Sequence, residues 1–109
     1  MTVLEGVLRE EVARLERNVS SYEIMLSSLP RGTVFIRKMG DSYFAYRKRK
    51  ENGKVVSEYL GNIKTEETQE KIQKSKEYKR IKNNLKFAKQ ELSKLRRAVR
   101  VYDWLRKTL

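Results

Sequence analysis

The stretch SYFAYRKRKENGKVVSEYLG, residues 42–61, decides how the chain folds. It opens with the aromatic-rich run Ser42-Tyr43-Phe44-Ala45-Tyr46, goes on through Arg47, Lys48, Arg49 and Lys50, and turns at Asn52-Gly53. Aromatic and β-branched residues suit the pleated surface of a strand. Asn-Gly between two such runs is the strongest short hairpin signal, because a type I′ turn needs positive φ at both central residues. The preceding run, TVFIRKM, has the same chemistry and is joined by Gly40-Asp41, which suits a type II′ turn. The reading is an antiparallel three-stranded meander over residues 33–60.

Alternation then assigns the faces. Phe35, Arg37, Met39, Phe44, Tyr46, Lys48, Lys50, Val55 and Tyr59 share one. Val34, Ile36, Lys38, Tyr43, Ala45, Arg47, Arg49, Val56, Glu58 and Leu60 share the other. The register places Arg37 opposite Phe44, Tyr46 opposite Tyr59 and Arg47 opposite Glu58. Both faces are about equally apolar, so two readings stand. Either the aromatic face is a platform on which bases stack, or it is the core, with Lys and Arg stems reaching outward. A third use of such strands is a ribbon in a duplex groove.

The flanks are helical. Thr2-Val3-Leu4-Glu5 is a capping box, with the Thr2 hydroxyl and the Glu5 carboxylate each expected on an orphan amide. Leu8, Val12, Leu15, Val19, Tyr22, Leu26 and Leu29 follow at alternating steps of four and three, the seam of a coiled coil. Pro30 ends that helix, read as residues 2–29, and Gly32 turns the chain. Thr65 is the expected N-cap of a second helix, residues 66–108, with Glu66 and Glu67 at the positive end of its dipole. Its seam reads Tyr78, Ile81, Leu85, Ala88, Leu92, Leu95, Val99, Tyr102 and, after a missed turn at Arg106, Leu109. The expected fold is α+β: one domain over residues 1–109, a long antiparallel helical hairpin of coiled-coil type with the meander at its tip, Leu29 near Ile81 and Leu8 near Tyr102.

Charge points to a partner. The 109 residues carry a net charge of +12, distributed as −2 over residues 1–30, +6 over 31–64 and +8 over 65–109. Such asymmetry suits an anionic partner. The residue following each seam position of the second helix is basic at Lys79, Lys82, Lys86, Lys89, Arg96, Arg100 and Lys107. This stripe spans about 42 Å at 1.5 Å per residue. It reads either as a phosphate track or as a solvated flank, with Glu11, Glu16 and Glu23 of the first helix neutralising part of it. A separate outer strip, Phe87, Val101, Trp104 and Leu105, with Val3, Val7 and Met25 on the first helix, exceeds what a two-helix hairpin buries. Either the sheet folds back over it or two hairpins form a four-helix bundle, with a homodimer the favoured reading.

Composition removes whole classes. With no Cys and no His, disulfides, thiolate or imidazole metal sites and His-based triads are excluded. No cofactor, metal or catalytic residue is expected, because nothing poises a Tyr, Ser or Lys as a nucleophile. The acidic N-terminal stretch is unlike a signal peptide, and no apolar run approaches a membrane span. A cytoplasmic protein without membrane contact is the expectation.

The run YFAYRKRKENGKVVSEYLG resembles the centre of small bacterial, archaeal and phage proteins of unknown function. The resemblance rests on Tyr46-Arg47, Gly53-Lys54-Val55, Ser57 and Tyr59-Leu60-Gly61, with Leu29 to Gly32 leading in. A similar hairpin occurs near the N-terminus of some DDE-type transposases. The resemblance implies a mobile-element setting and DNA contact, and carries over no catalytic residue. The acidic triad of those transposases is missing, since Asp41 and Asp103 are the only aspartates.

The leading expectation is a non-enzymatic nucleic-acid-binding protein of low sequence specificity. Arg37, Arg47, Lys48, Arg49, Lys50 and Lys54 would contact phosphates from the sheet, Phe44 and Tyr46 would stack on bases, and Lys79, Lys82, Lys86 and Lys89 would extend the track. The alternatives are a small phage-type inhibitor, anti-CRISPR-like, that docks on a nucleic-acid-handling enzyme through the meander, and a coiled-coil assembly module.

Overall fold

The computed structural model describes residues 2–109. The elements follow as α1 Val3–Ser27, β1 Thr33–Met39, β2 Ser42–Glu51, β3 Lys54–Asn62 and α2 Glu66–Thr108, an α+β chain. Two compact units result. One holds Leu26–Ile81; the other joins α1 up to Met25 with α2 from Lys82 onward.

In the sheet unit the strands pair antiparallel in the order β1-β2-β3. The register matches the sequence reading, with Arg37 opposite Phe44, Tyr46 opposite Tyr59 and Arg47 opposite Glu58. Gly40 has φ +63° while Asp41 is not positive, the φ pattern of a type II′ turn. Asn52 and Gly53 are both positive, at 53° and 78°, as type I′ requires. The end of β3 departs from simple alternation. Beyond the Tyr46–Tyr59 pair, Ala45 pairs with Gly61, so Leu60 is an extra residue in β3 and forms a bulge.

The face of Ala45, Arg47 and Leu60 is the buried one, with Ala45 fully enclosed. The start of α2 covers it. Thr65 caps the helix, its hydroxyl accepting the Thr68 amide at 3.3 Å. Thr68 donates from Oγ1 to the Leu60 carbonyl at 3.3 Å, and one heptad later Ser75 accepts from Arg47 Nε at 3.2 Å. Small hydroxylated residues at that spacing share one face of α2, and their size lets the helix lie close to the strands. Gly61 shows how close: a Cβ there would sit 2.2 Å from Thr68 Oγ1. The reading that made the aromatic face the core is therefore corrected, because α2 takes the opposite face.

In the helical unit, α1 and α2 run antiparallel. Arg9 lies 4.0 Å from Asp103, Glu16 3.3 Å from Arg96 and Glu23 3.6 Å from Lys89. Each advance of seven residues on α1 is matched by seven back along α2. Along these rungs, Leu15, Ala88 and Leu92 are buried and the other seam residues of this unit half-buried. Leu109 departs from the expected seam: it is 99% exposed, beyond the last helical turn. The capping box is half formed. The Thr2 hydroxyl accepts the Glu5 amide at 3.1 Å, but the Glu5 carboxylate turns to Arg9 and Arg106 instead. Desolvation pushes that carboxyl up, yet the hydrogen bond from Arg9 and the charges of Arg106 and Arg9 prevail and hold it below its ordinary range.

Candidate nucleic-acid interface

The aromatic face of the sheet gathers side chains from all three strands. Phe35 on β1 and Tyr46 on β2 stack with centroids 5.4 Å apart and planes 15° from parallel. Tyr59 on β3 meets Tyr46 edge-on, at 5.4 Å and 62°, and lies tilted to Phe44 at 6.1 Å. The Arg37 guanidinium sits 5.8 Å from the Phe35 centroid and 5.5 Å from that of Tyr46. The Lys48 ammonium lies 5.3 Å over Phe35. These are cation–π distances, so Arg37 and Lys48 are held by rings rather than by carboxylates. Tyr59 joins the candidate site from outside the sequence-predicted set. Its pairing with Tyr46 is legible in the register, but it stands beside Ser57 and Glu58, away from the basic run that marks the other candidates.

The four cations of β2 divide by face. Lys48 and Lys50 are exposed on the aromatic side. Arg47 is only 7% exposed, and besides Ser75 it donates from Nη1 to Glu58 Oε2 at 3.2 Å. Its expected role at a phosphate is therefore corrected: the side chain joins β2 to α2 and β3. Arg49 is half-buried and donates to the same Glu58 oxygen at 2.9 Å, with Glu51 3.7 Å away. Lys54 is exposed at the start of β3.

Along α2, Lys79 belongs to the sheet unit, and Lys82, Lys86 and Lys89 belong to the helical unit. All four are exposed. Two of the three acids considered as neutralising partners act that way, Glu16 on Arg96 and Glu23 on Lys89. Glu11 is instead held by Arg14 three residues along α1, and that hydrogen bond holds its carboxyl low. Among the described residues no ion pair reaches Lys79, Lys86, Arg100 or Lys107. The outer strip of Phe87, Val101, Trp104 and Leu105 is exposed, Trp104 by 62%.

Among the described residues no helix is long and apolar enough to cross a membrane, and no three His, Cys, Asp or Glu side chains come together as a metal site. The model of a domain of unknown function, DUF6788, matches residues 3–71. The chain belongs to the DUF6788 family. The matched stretch takes in α1, the whole meander and the turns of α2 that carry Thr68. The aromatic face, Arg47 and the Gly61–Thr68 contact all lie within the DUF6788 match, whereas the basic stripe from Lys79 to Lys107 lies outside it. No curated protein and no solved structure matches the chain.

Proposed function

We propose that this DUF6788 protein is a non-enzymatic nucleic-acid-binding protein of low sequence specificity. The observation that carries the reading is the placement of cations that have no ion-pair partner among the described residues. Arg37, Lys48, Lys50 and Lys54 stand on the meander, and Lys79 and Lys86 on α2, in a chain of net charge +12. Such groups neutralise phosphates and release the counterions condensed on the nucleic acid, which gives affinity without reading bases. The mobile-element setting implied by the central motif suits that role, as does a cytoplasmic location. The rungs at seven-residue steps support a coiled coil in the helical unit. The exposed outer strip supports a homodimer.

The test is a salt series on DNA and RNA. Affinity falls steeply between about 50 and 200 mM salt, and replacing Lys48, Lys50 and Lys54 together by Gln lowers the slope by about one for each phosphate no longer neutralised. If the parent binds neither polymer at about 100 mM salt, the reading falls. The meander then becomes the docking surface of an inhibitor that binds a nucleic-acid-handling enzyme.

A further inference from the structure

The open face of the sheet carries four rings, and their surroundings differ. Phe35 and Tyr46 lie nearly parallel, and Arg37 reaches both of them. Lys48 sits over Phe35 as well. The π-surfaces of this pair are already engaged, by each other and by two cations. Tyr59 is different. Its ring meets the neighbouring rings of Tyr46 and Phe44, no cation lies over it among the described residues, and 56% of it is exposed. Along the same face of β3, Val55 is equally open at 58%. Phe44 has no cation over it either among the described residues, but it is half-buried, as are Phe35 and Tyr46, so Tyr59 is the exposed ring among the four.

A planar ligand is what such a ring accepts. A base within a duplex already has both faces stacked, so an unpaired base is the form of nucleic acid that can lie flat on a tyrosine. Charge complementarity points the same way. The ring shares its face with cations, and one of them is preorganised: the Arg37 guanidinium is held against two rings, so little freedom remains to be lost when it meets a phosphate.

We propose that Tyr59, with Phe44 beside it, is the stacking residue for an unpaired base, that Arg37 and Lys48 take the flanking phosphates, and that the Phe35–Tyr46 pair is the rigid support that aims Arg37. This deepens the nucleic-acid reading and rests on it, since it makes the sheet face select single strands while the exposed lysines bind any phosphate backbone. Tyr59 is then a specificity residue for strandedness, and base identity is read little, because every base has a π-face.

The experiment uses the whole chain with labelled oligothymidylate, oligouridylate and a long linear duplex whose few ends offer almost no free base faces. The parent binds both single strands more tightly than the duplex. Tyr59→Ala weakens single-strand binding by about tenfold, the lower half of the range for one base–aromatic stack. It leaves duplex affinity and salt slope unchanged and lowers the melting temperature only slightly, by the loss of the contacts with Tyr46 and Phe44. Tyr59→Trp retains or strengthens single-strand binding, which separates stacking from the tyrosine hydroxyl. Comparable binding of oligothymidylate and oligouridylate supports a contact to the base face rather than to the sugar. Equal affinity of the parent for duplex and single strand, or an equal drop on both with Tyr59→Ala, sinks the Tyr59 assignment and leaves phosphate binding standing. A large fall in melting temperature with Tyr59→Ala overturns it too, by making the ring structural. Failure of the parent to bind any of the three probes at about 50 mM salt removes the nucleic-acid reading itself, and the Tyr59 assignment with it.

Discussion

Arg47 and Lys48 are adjacent, equally charged and opposite in environment. Lys48 lies over Phe35 on the open face, while Arg47 is enclosed between Ser75 and Glu58. The buried guanidinium is the costlier group to disturb, because removing it strands polar partners. Arg47→Gln should lower stability by about 1–3 kcal/mol, whereas Lys48→Gln should stay within about 0.5 kcal/mol of the parent, as surface changes do. Chemical denaturation of the two variants side by side checks this, and equal midpoints would refute the pinning role of Arg47. The alternation of β2 makes the two faces legible and puts Arg47 opposite Glu58. It leaves open which face is enclosed, because Val34, Ile36, Ala45 and Val56 on one side weigh about the same as Phe35, Phe44 and Tyr46 on the other. The deciding signal lies outside the central strand, in the small residues Gly61, Thr68 and Ser75 that allow a helix to approach. Size, not hydrophobicity, carries that information.

At the scale of elements, the turns and caps are the most legible features. Gly40-Asp41, Asn52-Gly53 and Thr65 each act through local backbone chemistry, and local chemistry is what a sequence states directly. The bulge at Leu60 is not legible, because it depends on a contact between β3 and α2. Gly61 has φ +133°, and its missing Cβ leaves room for a Thr68 hydroxyl that is itself fixed by Leu60 and Thr65. Gly61→Ala therefore meets two obstacles: a backbone conformation costing about 1–3 kcal/mol for other residues, and a clash. Thr68→Ala relieves the clash alone, since the Thr68 Cβ would be 3.5 Å away, an ordinary contact. The double variant should be more stable than the summed effects of the single changes, with a coupling of about 0.5–3 kcal/mol. Thermal melts of the four proteins measure it. Strict additivity would mean that α2 does not rest on Gly61 through Thr68.

For the molecule as a whole, the charge asymmetry and the two heptad seams are visible in the sequence, and the seam expected on α2 runs one step too far at Leu109. Sequence periodicity cannot say what covers a second apolar strip, since it reports a face and not its occupant. Local charge favours a second copy of this chain at one place. Around Glu5, Arg9, Asp103 and Arg106 the charges cancel, with pairs at 3.2 Å, 4.0 Å and 2.8 Å. Exposed Val3, Leu4 and Val7 on α1, and Val101, Trp104 and Leu105 on α2, belong to the same unit. A chain of net charge +12 repels its own kind over most of its surface, so an exposed apolar strip beside paired charges is where two copies can meet. Trp104, the single tryptophan, reports on it. If the strip is a dimer contact, Trp104 emission is blue-shifted at high protein concentration and moves to the red on dilution, as the ring re-enters water. Val101→Glu with Trp104→Glu then yields a folded monomer by sedimentation, with the helical circular dichroism of the parent retained. A parent that already sediments as a monomer at micromolar concentration, with emission that dilution does not change, rules the dimer out.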